Sequence, residues 1–111
     1  MVTRDQMSDD FKLWVKKMGD ILLKKNHDYS GVSEDPLWNF RKSTNFGVAP
    51  WRGALVRFSD KFSRIETFAK KEVFEVDDEN FEDTMIDACN YLFLAYELYK
   101  EYKEEQEEHG K

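Results

Sequence analysis

The stretch PWRGALVRFSDKFSRIETFAKK, Pro50 to Lys71, decides the fold. Pro50 suits the first turn of a helix, where its missing amide hydrogen costs nothing. Behind it Trp51, Leu55, Phe58, Phe62, Ile65 and Ala69 recur at three- and four-residue spacing, which draws one apolar stripe along a helix ending near Lys71. The same period appears on either side. Upstream, Ser8 can cap a helix over about residues 8 to 25, with Asp9 and Asp10 in its first turn and Phe11, Trp14, Val15, Met18, Ile21 and Leu22 on one flank. Downstream, Asp77 or Asp78 can cap a long helix starting near Glu79, whose main face carries Phe81, Met85, Ala88, Cys89, Leu92 and Tyr96.

The connections are short. Asn26 and the Asp, Ser and Gly residues from Asp28 to Asp35 read as a loop. Ser33, Glu34, Asp35 and Pro36 signal a second helix of two or three turns through Leu37, Trp38 and Phe40, broken at Asn45 to Gly47. Glu72 to Asp78 reads as a loop, because a lone strand through Val73 and Val76 would have no partner. The prediction is an all-α chain, a compact bundle of about four helices forming one domain over residues 1–111, with a solvated charged tail from Lys100 onward.

Composition narrows the function. Nine Phe, five Tyr and three Trp supply enough apolar volume for a core, although 36% of the residues are charged. A net charge of -6 argues against a broad footprint on duplex DNA, which is held by neutralising its phosphates, but leaves room for a local basic pocket. Cys89 is the one cysteine, so no intrachain disulfide forms and a reducing compartment is expected. Met1 to Asp10 is polar, and the apolar run Tyr91 to Tyr96 falls far short of a membrane span, so a cytoplasmic protein without membrane contact is expected.

Three groups of residues carry chemistry. On the third helix Arg57, Lys61 and Arg64 project from one flank of the apolar stripe and can hold phosphates, with Asp60 placed to orient Arg64 or to bind a metal. On the fourth, Glu79, Glu82, Asp83 and Asp87 lead to Asn90. Asp83, Asp87 and Asn90 share a face, running on toward Leu94 and Leu98. Carboxylates approaching a buried region need partners: either a hard cation such as Mg2+, or Arg57, Lys61 and Arg64 from the neighbouring helix. The plain alternative is a solvated flank on the third helix, and acids that favour the positive end of the fourth helix's dipole.

Lys25, His27, Asp28 and Tyr29, with Trp38, Asn39 and Phe40, form the third group. They mix cationic, hydrogen-bonding and aromatic groups suited to a base or ribose, although aromatics are more often core. With His27, His109 and Cys89 as the chain's whole supply of His and Cys, a zinc site is not expected.

Four of these segments, KNHDYS at Lys25 to Ser30, DPLWNF at Asp35 to Phe40, RFSDKFSRI at Arg57 to Ile65 and FEDTMIDACNYL at Phe81 to Leu92, together resemble the nucleotide modification associated domain family, first type, of phages and bacteria. The resemblance spans roughly residues 20 to 96. It implies a small all-α protein of nucleotide metabolism or DNA-base modification, at work in the cytoplasm of a bacterium or phage-infected host. The acidic helix is also similar in style to the MazG-like all-α nucleotide pyrophosphohydrolases, which hold magnesium on clustered helical carboxylates. Their paired-glutamate element on an earlier helix is missing here, and EEQEE at Glu104 to Glu108 lies in the tail.

Three expectations follow. In the first, Arg57, Lys61 and Arg64 hold the phosphates of a nucleotide. Asp83 and Asp87, as catalytic residues or orienting groups, act with Mg2+ drawn from the ligand set Asp60, Glu79, Glu82, Asp83 and Asp87. Lys25, Asp28, Tyr29, Asn39 and Asn90 complete recognition, and the reaction would be attack of water on a phosphoanhydride. In the second, the chain is a non-catalytic sponge for a nucleotide second messenger of host antiviral defence. In the third, it is a structural or regulatory oligomer. The segment Tyr91 to Tyr99 is apolar on every side, which suggests at least a homodimer under all three.

Overall fold

The computed structural model describes residues 1–30, 35–73 and 80–110, apart from the side chains of 26–30. All regular structure among them is helical: α1 (Arg4–Ser30), α2 (Trp38–Arg41) followed by a 3-10 helix (Lys42–Phe46), α3 (Pro50–Lys71) and α4 (Phe81–His109). None of these helices is long and apolar enough to cross a membrane.

The helices run longer than their local signals suggest. α1 begins at Arg4 because Thr3 and Gln6 form a reciprocal cap. The Gln6 amide donates to Thr3 Oγ1, and the Thr3 amide donates to Gln6 Oε1. Ser8 therefore lies inside the helix. Its backbone also continues through Asn26 to Ser30, which the polar composition had marked as loop. α4 starts at Phe81, later than expected, with Asn80 as its cap: Asn80 Oδ1 accepts from the Asp83 amide at 3.2 Å. It then carries its helix through the charged tail to His109.

The second helix is shorter than expected. Asp35 marks its entry by accepting from the Leu37 amide, and Ser33 and Glu34 lie outside the described residues. The 3-10 helix ends at Gly47, whose φ of 74° is the left-handed conformation that glycine adopts without strain.

α3 and α4 pack antiparallel. Trp51 meets Tyr99 and Tyr102 at one end, Lys61 pairs with Asp87 in the middle, and Phe68 stacks on Phe81 at the other end. Between them lies a small core of Phe40, Ala54, Leu94, Ala95 and Leu98, flanked by Leu22, Leu37, Trp51, Leu55 and Tyr91. α1 crosses the opposite side of α4, tied by Lys17 to Glu82 at 2.7 Å and by Asn90 Nδ2, which donates to the Met18 carbonyl. Residues 1–13 contribute nothing to the core and are exposed.

Arg41 clamps α2 to the tail of α4. Its guanidinium donates to Asp35 on one side and Glu101 on the other, which holds the Asp35 carboxyl below the usual carboxylate range. The nominally solvated tail therefore begins with two working residues, Glu101 and the half-buried Tyr102.

Two features depart from the sequence reading. The bundle is extended, with a radius of gyration of 16.7 Å against about 13 Å for a compact chain of this length. And α4 is rotated. Its buried positions are Thr84, Ile86, Ala88, Asn90, Leu94, Ala95 and Leu98, so that of the expected main face Ala88 alone is buried, while Phe81, Leu92 and Tyr96 are exposed.

Candidate functional site

The rotation of α4 turns Asp87 and Asn90 inward, between α1 and α3. Asp87 Oδ1 receives Lys25 Nζ from α1 at 2.5 Å, and its Oδ2 faces Lys61 Nζ from α3 at 3.3 Å. The Asp87 side chain is 13% exposed, so water screens these pairs only partly. An ion trio here costs desolvation, which the two lysines offset only together. Lys25, Asp87 and Asn90 line a small cavity with Leu22, Asn39, Phe40, Tyr91 and others. Its volume of about 30 Å3 is the size of one water, far below that of a small-molecule site.

Phe40 forms a wall with a different space behind it. A groove of about 370 Å3 opens between the α2 and 3-10 segment and α3, lined by Asn39, Phe40, Lys42, Ser43, Phe46, Gly53 and Arg57. The Arg57 guanidinium lies over the Phe40 ring at 5.5 Å, and Lys42 Nζ over the Trp38 ring at 4.0 Å. Phe46 presents its ring to solvent at 85% exposure. Gly53 lets the 3-10 helix approach α3 closely: a Cβ there would stand 3.1 Å from Ser43 Cβ, so an alanine would require Ser43 to give way by a few tenths of an ångström.

The sequence-predicted residues divide accordingly. Lys25, Asn39, Lys61, Asp87 and Asn90 come together around the cavity, with Arg57 across the Phe40 wall. Asp60 and Arg64 are exposed on α3. Glu82 is engaged by Lys17, and Asp83 is exposed in the first turn of α4. The side chains of His27, Asp28 and Tyr29, and the whole of Glu79, lie outside the described residues. Of the two aromatics read as core, Phe40 is buried and Trp38 is exposed beneath Lys42.

Magnesium fits this donor set poorly. No three His, Cys, Asp or Glu side chains come together among the described residues. Asp87 has both oxygens on ammonium groups, which a divalent cation would have to displace. What the arrangement does instead is orient cations: Asp87 holds Lys25 and Lys61 in place, while Arg57 and Lys42 face the groove with no carboxylate partner among the described residues.

Lys42, Ser43 and Phe46 were not singled out from the sequence. Their signal was KSTNFG, Lys42 to Gly47, of which only Asn45 to Gly47 was read, as a helix break, although a cation, a hydroxyl and an aromatic ahead of a glycine stop is also a ligand-facing composition. No family model, curated protein or solved structure matches the chain.

Proposed function

We propose that the chain binds a nucleotide in the groove between the α2 and 3-10 segment and α3, and holds it without hydrolysing it. The observation that carries this reading is the pair Arg57 and Lys42: two cations facing one open groove, unneutralised among the described residues, in a chain of net charge -6. They suit a phosphate group, with Arg57 offering the paired donors that phosphate oxygens accept. The exposed Phe46 ring is a stacking surface for a base, and Asn39 supplies an amide that can donate and accept at a base or sugar edge. Asp87 serves behind the wall as a positioning residue for Lys25 and Lys61.

The resemblance to the nucleotide modification associated domain family supports a place in nucleotide metabolism or base modification. Engagement of both Asp87 oxygens by lysines favours retention of the ligand over magnesium-assisted hydrolysis, which is also what sequestration of a signalling nucleotide requires.

The test is equilibrium dialysis of the purified chain against nucleoside triphosphates, modified deoxynucleotides and cyclic oligonucleotides, with and without magnesium, followed by chromatography of the released ligand. At least one nucleotide is expected to bind in both conditions and to return intact. Arg57→Glu with Lys42→Glu should weaken it by more than about tenfold with the helical circular dichroism unchanged. Magnesium-dependent conversion would replace this reading with the hydrolase, and absence of binding across the panel would remove both.

A further inference from the structure

We infer that a second copy of this chain covers the outer face of the α3–α4 pair, making the molecule a homodimer with the two grooves on its outside. The face lies across α4 from Asp87 and Asn90. On α4 it consists of Met85, Cys89, Leu92 and Tyr96, which follow one another at intervals of four, three and four residues. On α3 it consists of Phe58 and Phe62, stacked at 5.8 Å. None of these six side chains is charged. Phe62, Leu92 and Tyr96 are 47%, 45% and 61% exposed.

Area favours a second copy as the occupant. The chain exposes 8718 Å2, whereas a folded monomer of 13.3 kDa is expected to expose about 6,500 Å2. The exposed ends of α1 and of α4 beyond Tyr102 hold part of the surplus of roughly 2,200 Å2. The ~800 Å2 that each partner of a standard interface buries is little more than a third of it. Lys100, paired with Glu97, lies over the Tyr96 ring at one edge of this face, and the rest can meet its own copy across a two-fold axis without opposing like charges. Two such α3–α4 pairs, laid face to face, make a four-helix layer in which the rows now exposed become core.

The test is sedimentation equilibrium of the full chain over a hundredfold concentration range. A mass near twice 13.3 kDa is expected, and Leu92→Glu with Phe62→Glu should shift it to one chain while nucleotide binding in the groove persists. A monomer at every concentration, a higher assembly unaffected by the two substitutions, or a dimer unaffected by them would each overturn the inference. Should the double variant lose its helical signal, the wild-type chain still decides the matter through Cys89, its one cysteine, which sits in the face. Its rate of labelling by a bulky maleimide should rise at least about fivefold on dilution through the dissociation range. A rate independent of concentration counts against the dimer. The proposal fails or stands independently of nucleotide binding, because the groove lies on the other side of the α3–α4 pair.

Discussion

At Arg41 one guanidinium joins three segments: the turn at Asp35, α2 itself and the tail of α4 at Glu101. The charge-assisted bonds depress the Asp35 carboxyl below its ordinary 3.8, so its folded-state value lies under its unfolded one. Such a group stabilises the fold fully above the unfolded value and loses its contribution as pH falls through the folded one. Denaturant midpoints measured between pH 6 and pH 2.5 should therefore fall more steeply for the wild type than for Asp35→Asn. Because Asp35 and Arg41 are each about one-third exposed, the difference at neutral pH should be small, roughly 1 kcal/mol or less. Equal pH slopes for the two proteins would show that the clamp contributes nothing to stability.

Helices α1 and α4 each begin with a side-chain cap, but the two caps should matter unequally. Asn80 starts α4, whose first turns place Thr84, Ile86 and Asp87, all buried or nearly so. Asn80→Ala removes an acceptor for the Asp83 amide and should cost about 1 kcal/mol of global stability in urea. The Thr3 and Gln6 cap starts a stretch that contributes no buried residue, since residues 1–13 are exposed. Thr3→Ala should leave the urea midpoint unchanged while speeding amide exchange over residues 4–10, because local fraying there is independent of global unfolding. A loss of global stability in Thr3→Ala would mean that the end of α1 is packed in solution, against a partner or against the bundle.

For the whole molecule, the surplus of exposed surface has a thermodynamic consequence. If folding and dimerisation are coupled, mass action raises the melting temperature as the chain is concentrated. From 1 to 100 µM, about 2.7 kcal/mol per mole of dimer is added, which should raise Tm by several degrees. Calorimetry at the two concentrations checks this. A Tm independent of concentration would require the seven buried apolar residues among the described ones to stabilise one chain alone. Leu92→Glu with Phe62→Glu should remove the dependence.

Much of the helical reading depended on local patterns alone. Pro50 and the three- and four-residue apolar spacing placed α3 at its observed bounds, and the spacing of Asp83, Asp87 and Asn90 put them on one side of α4, because helical geometry relates neighbours along the chain without reference to anything else. Lys61 and Asp87 could be named as possible partners because a carboxylate approaching a buried region needs a counter-charge from a neighbouring helix. The sequence pointed to the wrong side of α4, the row from Phe81 to Tyr96, because apolar residues stand on every side of Tyr91 to Tyr99 and local spacing does not rank the competing rows. Tertiary packing made that choice. With Leu94, Ala95 and Leu98 turned inward, Asp87 meets Lys25 and Lys61, Leu92 and Tyr96 face outward, and the 3-10 helix brings Lys42 and Phe46 to Arg57. Those juxtapositions join residues far apart along the chain, and they exist only once the helices have set their rotations against one another.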